Sequence, residues 1–199
     1  MRSLLIDLRT SILLTLILAA LCCGLYPAAV WGVARAVFPG RADGSLVEAG
    51  GGIVGSRLIG QGFASPAYFH PRPSAAGAGY DGSSSGGTNL GPLSGKLIEA
   101  VRRRASDFRR ENGLAADAAV PADAVTASAS GLDPHISPSN ARLQAPRVAR
   151  ARGVGPDVVL GLIGLFTKGR TFGLLGEPRV NVLEINLELD RRFGKAGTP

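Results

Sequence analysis

Few side chains in this sequence could do chemistry: His70, His135, Asp81, Asp133 and a scatter of serines. Asp133, His135 and Ser137 alternate through the run Gly131-Leu132-Asp133-Pro134-His135-Ile136-Ser137-Pro138 and have the residue types of a nucleophilic triad. A triad is assembled in space, usually from distant segments, and residues two apart in a turn rarely aim at one another. No G-x-S-x-G elbow accompanies them. Asp133 and His135 are therefore expected to structure the turn before a helix. A metal site from His70 and His135 would need further ligands, and their surroundings offer mainly carbonyls and hydroxyls. Cys22 and Cys23 are adjacent, which excludes a C-x-x-C knuckle and a disulfide framework. We assign no catalytic residue and no metal ligand.

Anion binding has two candidates. Ser85-Gly86-Gly87-Thr88-Asn89 could cradle an anion through backbone N–H groups, because glycine permits the required turns; the plain alternative is a flexible loop. Arg102, Arg103, Arg109 and Arg110 cluster in a helical stretch, where a solvated face is the ordinary explanation. No Walker A lysine motif is present. Net charge is +7, from 22 Lys and Arg against 15 Asp and Glu, which suits an anionic neighbour without selecting one.

The elements that must position these residues begin with the N-terminus. The 199 residues suffice for one domain and a little more, and 45 % hydrophobic content is too high for a disordered chain despite 28 glycines and 13 prolines. No charged residue occurs from Thr10 to Ala34. As a helix this run is roughly 37 Å long, enough to cross a hydrocarbon core of about 30 Å. Tyr26 and Trp31 lie toward its far end, where amphipathic rings settle at an interface. A cleaved signal peptide is the competing reading, since Arg2 and Arg9 precede the apolar core and Pro27-Ala28-Ala29 follow it. The apolar stretch continues through Trp31 and Val37, beyond a signal core of about 7–15 residues, which favours an uncleaved anchor. Arg35, Arg41, Asp43 and Glu48 on the far side leave the charge bias too even to set the orientation. The expected organisation is a tail over 1–9, an anchor helix over 10–38, a connector over 39–52 and an exported domain over 53–199.

Within that domain, Gly51–Phe63 carries a weak strand–turn–strand signal, and 68–95 is a long stretch of turn formers with Tyr68, Phe69 and Tyr80 embedded in it. Lys96–Asn112 reads as a helix with Leu97, Val101 and Phe108 on one stripe and Gly113 as its C-terminal cap. Ser137-Pro138 predicts a helix start, with a break or kink at Pro146, and another helix begins near Pro156 and runs to Gly169. Arg179–Asp190 alternates but slips phase between Val182 and Leu183, which leaves strand against helix open. Elements without a βαβ rhythm predict an α+β fold, a single mixed soluble domain behind one transmembrane helix.

Five blocks of the sequence resemble the KdpC family, the C subunit of the bacterial Kdp potassium-transporting ATPase. They are Tyr68-Phe69-His70-Pro71-Arg72-Pro73-Ser74-Ala75; Ser85–Leu90 with Gly91; Val125–Pro138, which contains Thr126-Ala127-Ser128-Ala129-Ser130-Gly131-Leu132-Asp133; Gln144–Arg152; and Gly176–Leu187. They occur in the family's order behind its single N-terminal membrane helix, and Gly91-Pro92 and the alanine-rich 113–120 segment look like ordinary loop variation.

The resemblance implies an accessory subunit, without catalysis of its own, in a high-affinity potassium uptake complex of the inner membrane. Its partners would be a channel-like, potassium-binding A subunit, an ATP-hydrolysing B subunit and a small F peptide where present, together with membrane lipid and no nucleic acid. It also implies a catalytic chaperone that raises the ATP affinity of the B subunit, with no intrinsic cofactor and with ATP shared transiently. The family's proposed nucleotide contact falls on Gln144. The implied topology, tail cytoplasmic and domain extracytoplasmic, would set Gln144 across the membrane from cytoplasmic ATP, and its place before Pro146 suits a structural or interface role equally well. Tyr68, Phe69, His70, Arg72, Ser85, Gly86, Gly87, Asn89, Asp133, His135 and Arg147 are the candidate subunit-interface residues. The alternative class is a membrane-anchored extracytoplasmic binding protein without a pump.

Overall fold

Residues 2–196 are described by a computed structural model, in which the chain divides into two compact units, Met1–Leu46 and Val47–Pro199. Residue 1, residues 197–199 and the side chain of Arg2, at the outer ends of the expected tail and domain, lie outside the described residues.

In the first unit, α1 (Arg2–Ala19), a π-helical stretch (Ala20–Leu25) and α2 (Tyr26–Val37) run on without interruption, followed by the short α3 (Pro39–Ala42). The helix starts well before Thr10, because Leu4, Leu5, Ile6 and Leu8 are good helix formers that extend the apolar run. From Ser3 to Val37 it is long and apolar enough to cross a membrane, and its apolar side chains are exposed all round. In the π-helical stretch the Tyr26 N–H donates to the Leu21 carbonyl, five residues back. This wider turn sits where Pro27, without an N–H, would otherwise press its ring on the Cys23 carbonyl.

From Leu46 onward, β1 (Leu46–Ala49) and β2 (Gly52–Ser56) pair across Gly50 and Gly51, whose φ values of 62° and 83° are those of a tight two-residue turn. The strand–turn–strand thus lies earlier than Gly51–Phe63, since the Gly-Gly pair makes the turn and 57–63 forms no strand. Then follow α4 (Gly95–Asn112), α5 (Ala122–Val125), β3 (His135–Ile136), α6 (Pro138–Arg152), α7 (Pro156–Phe166), β4 (Thr167–Lys168), β5 (Arg179–Asn181) and α8 (Val182–Phe193). Strand β5 is central, antiparallel to β3 (Ile136 opposite Val180) and to β4 (Lys168 opposite Arg179). The small sheet and helices α6, α7 and α8 enclose Phe69, Ile136, Val148, Leu162, Val180, Ile185 and Leu189, all buried. This is an α+β domain behind one long apolar helix.

Several helix ends fall where the sequence puts them, but α7 stops at Phe166 and does not run to Gly169, because Thr167 and Lys168 join the sheet as β4. Ser137 caps α6 by accepting the Asn140 N–H at 3.1 Å, Pro138 takes the first turn, and Gly113 and Gly153 close α4 and α6 at φ 65° and 66°. Pro146 does not break α6. It is exposed, and the carbonyl that loses its helical partner belongs to Arg142, on the same solvent side, so water can take over while the packed face stays intact. The phase slip at Val182–Leu183 is a change of structure: β5 ends at Asn181, whose side chain caps α8 by accepting the Glu184 N–H at 3.1 Å.

Candidate functional site

The segment from Pro66 to His70 runs against the core without joining a sheet, with Ala67 and Phe69 buried, so its peptide groups need partners other than strands. Side chains from α6 and α8 supply them. Five consecutive carbonyls are each received: Pro66 and Tyr68 by Arg147 Nη1 (2.6 and 3.0 Å), Ala67 by Arg152 Nε (2.8 Å), Phe69 by Asn186 Nδ2 (2.9 Å) and His70 by Gln144 Nε2 (3.0 Å). Asn186 and Gln144 also accept the N–H groups of Phe69 and His70 at 2.8 and 2.7 Å. Each amide therefore grips one residue by both backbone groups, as a neighbouring strand would.

Gln144 is 1 % exposed and its amide is fully committed. Besides His70, its Oε1 accepts Arg147 Nη2 at 2.7 Å, and its Nε2 donates to Asn140 Oδ1 at 2.9 Å. Arg147 is also buried, with Nε donating to Asn112 Oδ1 at 3.0 Å. Burial lowers the pKa of Arg147, and the nearby Glu111 carboxylate opposes the shift. The His70 ring is bracketed by Glu111 Oε1, 2.8 Å from Nδ1, and the Ser65 carbonyl, 3.0 Å from Nε2. The His70 hydrogen bond holds the Glu111 carboxyl below its usual range against the opposing effect of burial. Tyr68 donates to Asp190 Oδ2 at 2.9 Å beneath the Arg152 guanidinium, 4.8 Å from its ring, while Arg152 Nη2 holds Asp190 Oδ1 at 2.8 Å. Burial, then Asp190, pushes the Tyr68 hydroxyl up.

Beside this network lies a cleft of about 560 Å³, walled by Phe63, Tyr80, Phe108, Arg104, His70, Glu111 and Gln144. A second cluster connects to the cleft through Tyr80, which lines it. Arg72 Nη1 pairs with Asp133 Oδ2 at 2.8 Å, and Tyr80 donates to the Arg72 carbonyl at 2.7 Å. Asp133 Oδ1 accepts the His135 N–H at 3.0 Å and lies 3.3 Å from His135 Nδ1. Burial raises the Asp133 pKa, but hydrogen bonds from His135 and Arg72 outweigh it and leave the carboxyl lowered. Ser137 is turned away, donating to Asp123 Oδ1 at 2.9 Å, so the three residue types of a triad form none here. Among the described residues no three His, Cys, Asp or Glu gather as a metal site.

Of the residues singled out from sequence, Tyr68, Phe69, His70, Gln144 and Arg147 thus meet in one network, and Arg72, Asp133 and His135 in the neighbouring one. Phe69 has 0 % exposure, so its ring belongs to the core and offers no surface. Ser85 and Gly86 bind the Ser130 carbonyl, each at 3.0 Å, which turns the Gly86 N–H toward the protein. A Cβ on Gly87 would come within 2.9 Å of the Ala129 carbonyl oxygen, so glycine there serves close backbone approach. Asn89 is exposed with φ 51°.

Sequence reasoning missed Asn112, Asn140, Asn186, Arg152, Asp190 and Glu111. A signal existed for two of them. Asn140 recurs with Gln144 and Arg147 at helical spacing on the buried face of α6, and Asn186 interrupts the apolar stripe of α8 between Val182 and Leu189. Amides on a core-facing stripe must hydrogen-bond something buried.

Comparison with known proteins gives the family. A family model described as "KdpC: K+-transporting ATPase, c chain" matches residues 8–191. The potassium-transporting ATPase KdpC subunit of Myxococcus xanthus is 60 % identical over 188 residues, 94 % of this chain and 87 % of the relative. Those of Koribacter versatilis and Nitratidesulfovibrio vulgaris are 50 % and 54 % identical over 92 % and 94 % of this chain, and over 94 % of the relative in each case. With one long apolar helix ahead of a folded domain, and with matches spanning both, the chain belongs to the KdpC family, the c chain of the K+-transporting ATPase.

Proposed function

We propose that this chain is the non-catalytic accessory subunit of a high-affinity, ATP-driven potassium uptake complex in the bacterial inner membrane. One helix anchors it, with the N-terminal tail cytoplasmic and the folded domain extracytoplasmic. It holds together a channel-like A subunit, an ATP-hydrolysing B subunit and a small F peptide, and it acts as a catalytic chaperone, raising the ATP affinity of the B subunit by stabilising the assembled form.

The observation that carries the reading is the state of Gln144. All four hydrogen-bonding positions of its amide are taken by His70, Asn140 and Arg147, and the side chain is 1 % exposed. A buried amide so committed has nothing left for a nucleotide without unfastening the 66–70 segment, which costs on the order of 2 kcal/mol or more. Gln144 is thus a positioning residue for that segment. The aromatic walls of the 560 Å³ cleft, with Arg104 among them, favour a second reading, in which ATP enters beside Gln144; the carboxylates of Asp107 and Glu111 on the same walls count against it.

One experiment separates the two. The complex is purified with the chain, without it, and with Gln144→Ala, and KM for ATP, intactness and Tm are measured. Omission should dissociate the complex and raise KM, and an intact complex with unchanged KM would refute the accessory role. Gln144→Ala should lower Tm and yield while leaving KM unchanged in what assembles; a raised KM in fully assembled complex would favour direct contact. Topology is tested at Leu93, 93 % exposed. Leu93→Cys, with Cys22 and Cys23 replaced by serine, should label with an impermeant thiol reagent in intact cells, and labelling only after permeabilisation would invert the orientation.

A further inference from the structure

The ten residues joining β4 to β5 point their apolar side chains outward. Phe172, Leu174 and Leu175 are 88 %, 79 % and 64 % exposed. The loop is nonetheless ordered by its own hydrogen bonds. Thr171 and Leu175 exchange N–H···O bonds of 2.8 and 2.9 Å, and Arg170 Nη2 reaches both oxygens of Glu177 at 2.9 Å. Phe172 has φ 55°, in the left-handed region that a bulky residue seldom adopts and that costs on the order of 1 kcal/mol or more.

An aromatic ring held in a strained conformation and kept in water is unfavourable twice over in the isolated chain. A bilayer surface is bound typically by an amphipathic helix with a basic polar face, and this hydrogen-bonded loop is not one. A protein pocket imposes a particular backbone shape, and a loop already in its bound shape loses less entropy on docking. The edges of the loop are basic. Lys168 and Arg170 pair with Glu184 and Glu177, while Arg179, hydrogen-bonded to the Gly169 carbonyl at 3.4 Å, has no carboxylate partner among the described residues. An apolar centre with an unneutralised cation at its edge is complementary to an apolar pocket with an acidic rim.

We propose that the 170–176 loop is a preformed plug that docks into such a pocket on a partner subunit of the same K+-transporting ATPase. This rests on the reading of the chain as an assembly subunit. It locates the contact on a different part of the domain from the 68–73 and 85–91 segments.

The test uses the full chain, tagged and coexpressed with the partner subunits. Phe172→Ser combined with Leu174→Ser should reduce recovery of the partners about tenfold, the scale of losing an interface anchor, with Tm of the purified chain unchanged. Recovery equal to that of the unsubstituted chain would overturn the proposal. Benzoylphenylalanine placed at position 172 should photocrosslink to a partner subunit in membranes, and adducts with lipid alone would overturn it as well. An unsubstituted chain that recovers no partner at all would refute the assembly reading itself.

Discussion

The 66–70 segment and the 170–176 loop are both irregular backbone, yet they are held by opposite means. The first buries Ala67 and Phe69, and every one of its carbonyls is received by a side chain of α6 or α8, so its order depends on Gln144, Arg147, Arg152 and Asn186. The second orders itself through local bonds and leaves Phe172 and Leu174 in solvent. Polar side chains serve the domain's own stability in one region, and apolar side chains face outward in the other. Where a residue type sits contrary to its usual burial, the surroundings say whether it works for the fold or for a partner.

Substitutions at the buried clamp should have the largest effect. Arg147→Ala removes the donor to the Pro66 and Tyr68 carbonyls and strands Asn112 and Gln144, a loss of about 4 kcal/mol. At about 2–4 °C per kcal/mol for a domain of this size, Tm should fall by about 10 °C in circular dichroism of the solubilised chain. Arg147→Lys should recover only part of this, since one ammonium cannot span the same acceptors. Asn186→Leu should cost about 3 kcal/mol by leaving both backbone groups of Phe69 unpaired. A fall of under 2 °C for either would mean that the segment is held by packing alone.

Acid is a milder way to loosen the same region. Glu111 and Asp133 are both lowered in the folded chain, so each contributes stability that is fully present above its ordinary value near 4 and is lost as pH falls through the lower folded value. Tm should therefore be insensitive to these groups from pH 7 to about pH 5 and decline below about pH 4. Glu111→Gln combined with Asp133→Asn should flatten that decline, and an unchanged slope would remove both pairs from the account of stability.

How legible each region was in the sequence follows from the same contrast. Caps and turns are local, so Ser137-Pro138, Gly113 and the membrane helix could be placed from neighbouring residues alone. The clamp could not, because Asn186 and Phe69 are 117 residues apart and Gln144 and His70 are 74 apart; only the tertiary fold brings an amide to a peptide. Of the break or kink expected at Pro146, the break does not occur, because burial on the opposite face outweighs one missing helical bond. The slip at Val182 was a true signal, a strand giving way to a helix, that alternation could detect but not interpret. Phe69 read as a surface aromatic because its turn-rich setting gave no hint that α6 and α8 close over it.

The smallest effect on stability belongs to the exposed loop, and its sign is the informative part. Phe172→Asn removes a ring that is 88 % exposed, so almost no burial is lost. Asparagine tolerates the left-handed conformation at φ 55° better than phenylalanine, because its short polar side chain can hydrogen-bond locally. The chain should be unchanged or more stable by up to about 1 kcal/mol, with Tm rising by about 1–3 °C. A ring that served the fold would instead be missed, and Tm would drop by several degrees. A gain in Tm alongside weaker assembly would mark Phe172 as strain retained for a partner, the opposite of Asn186, whose loss should lower Tm before it touches anything outside the domain.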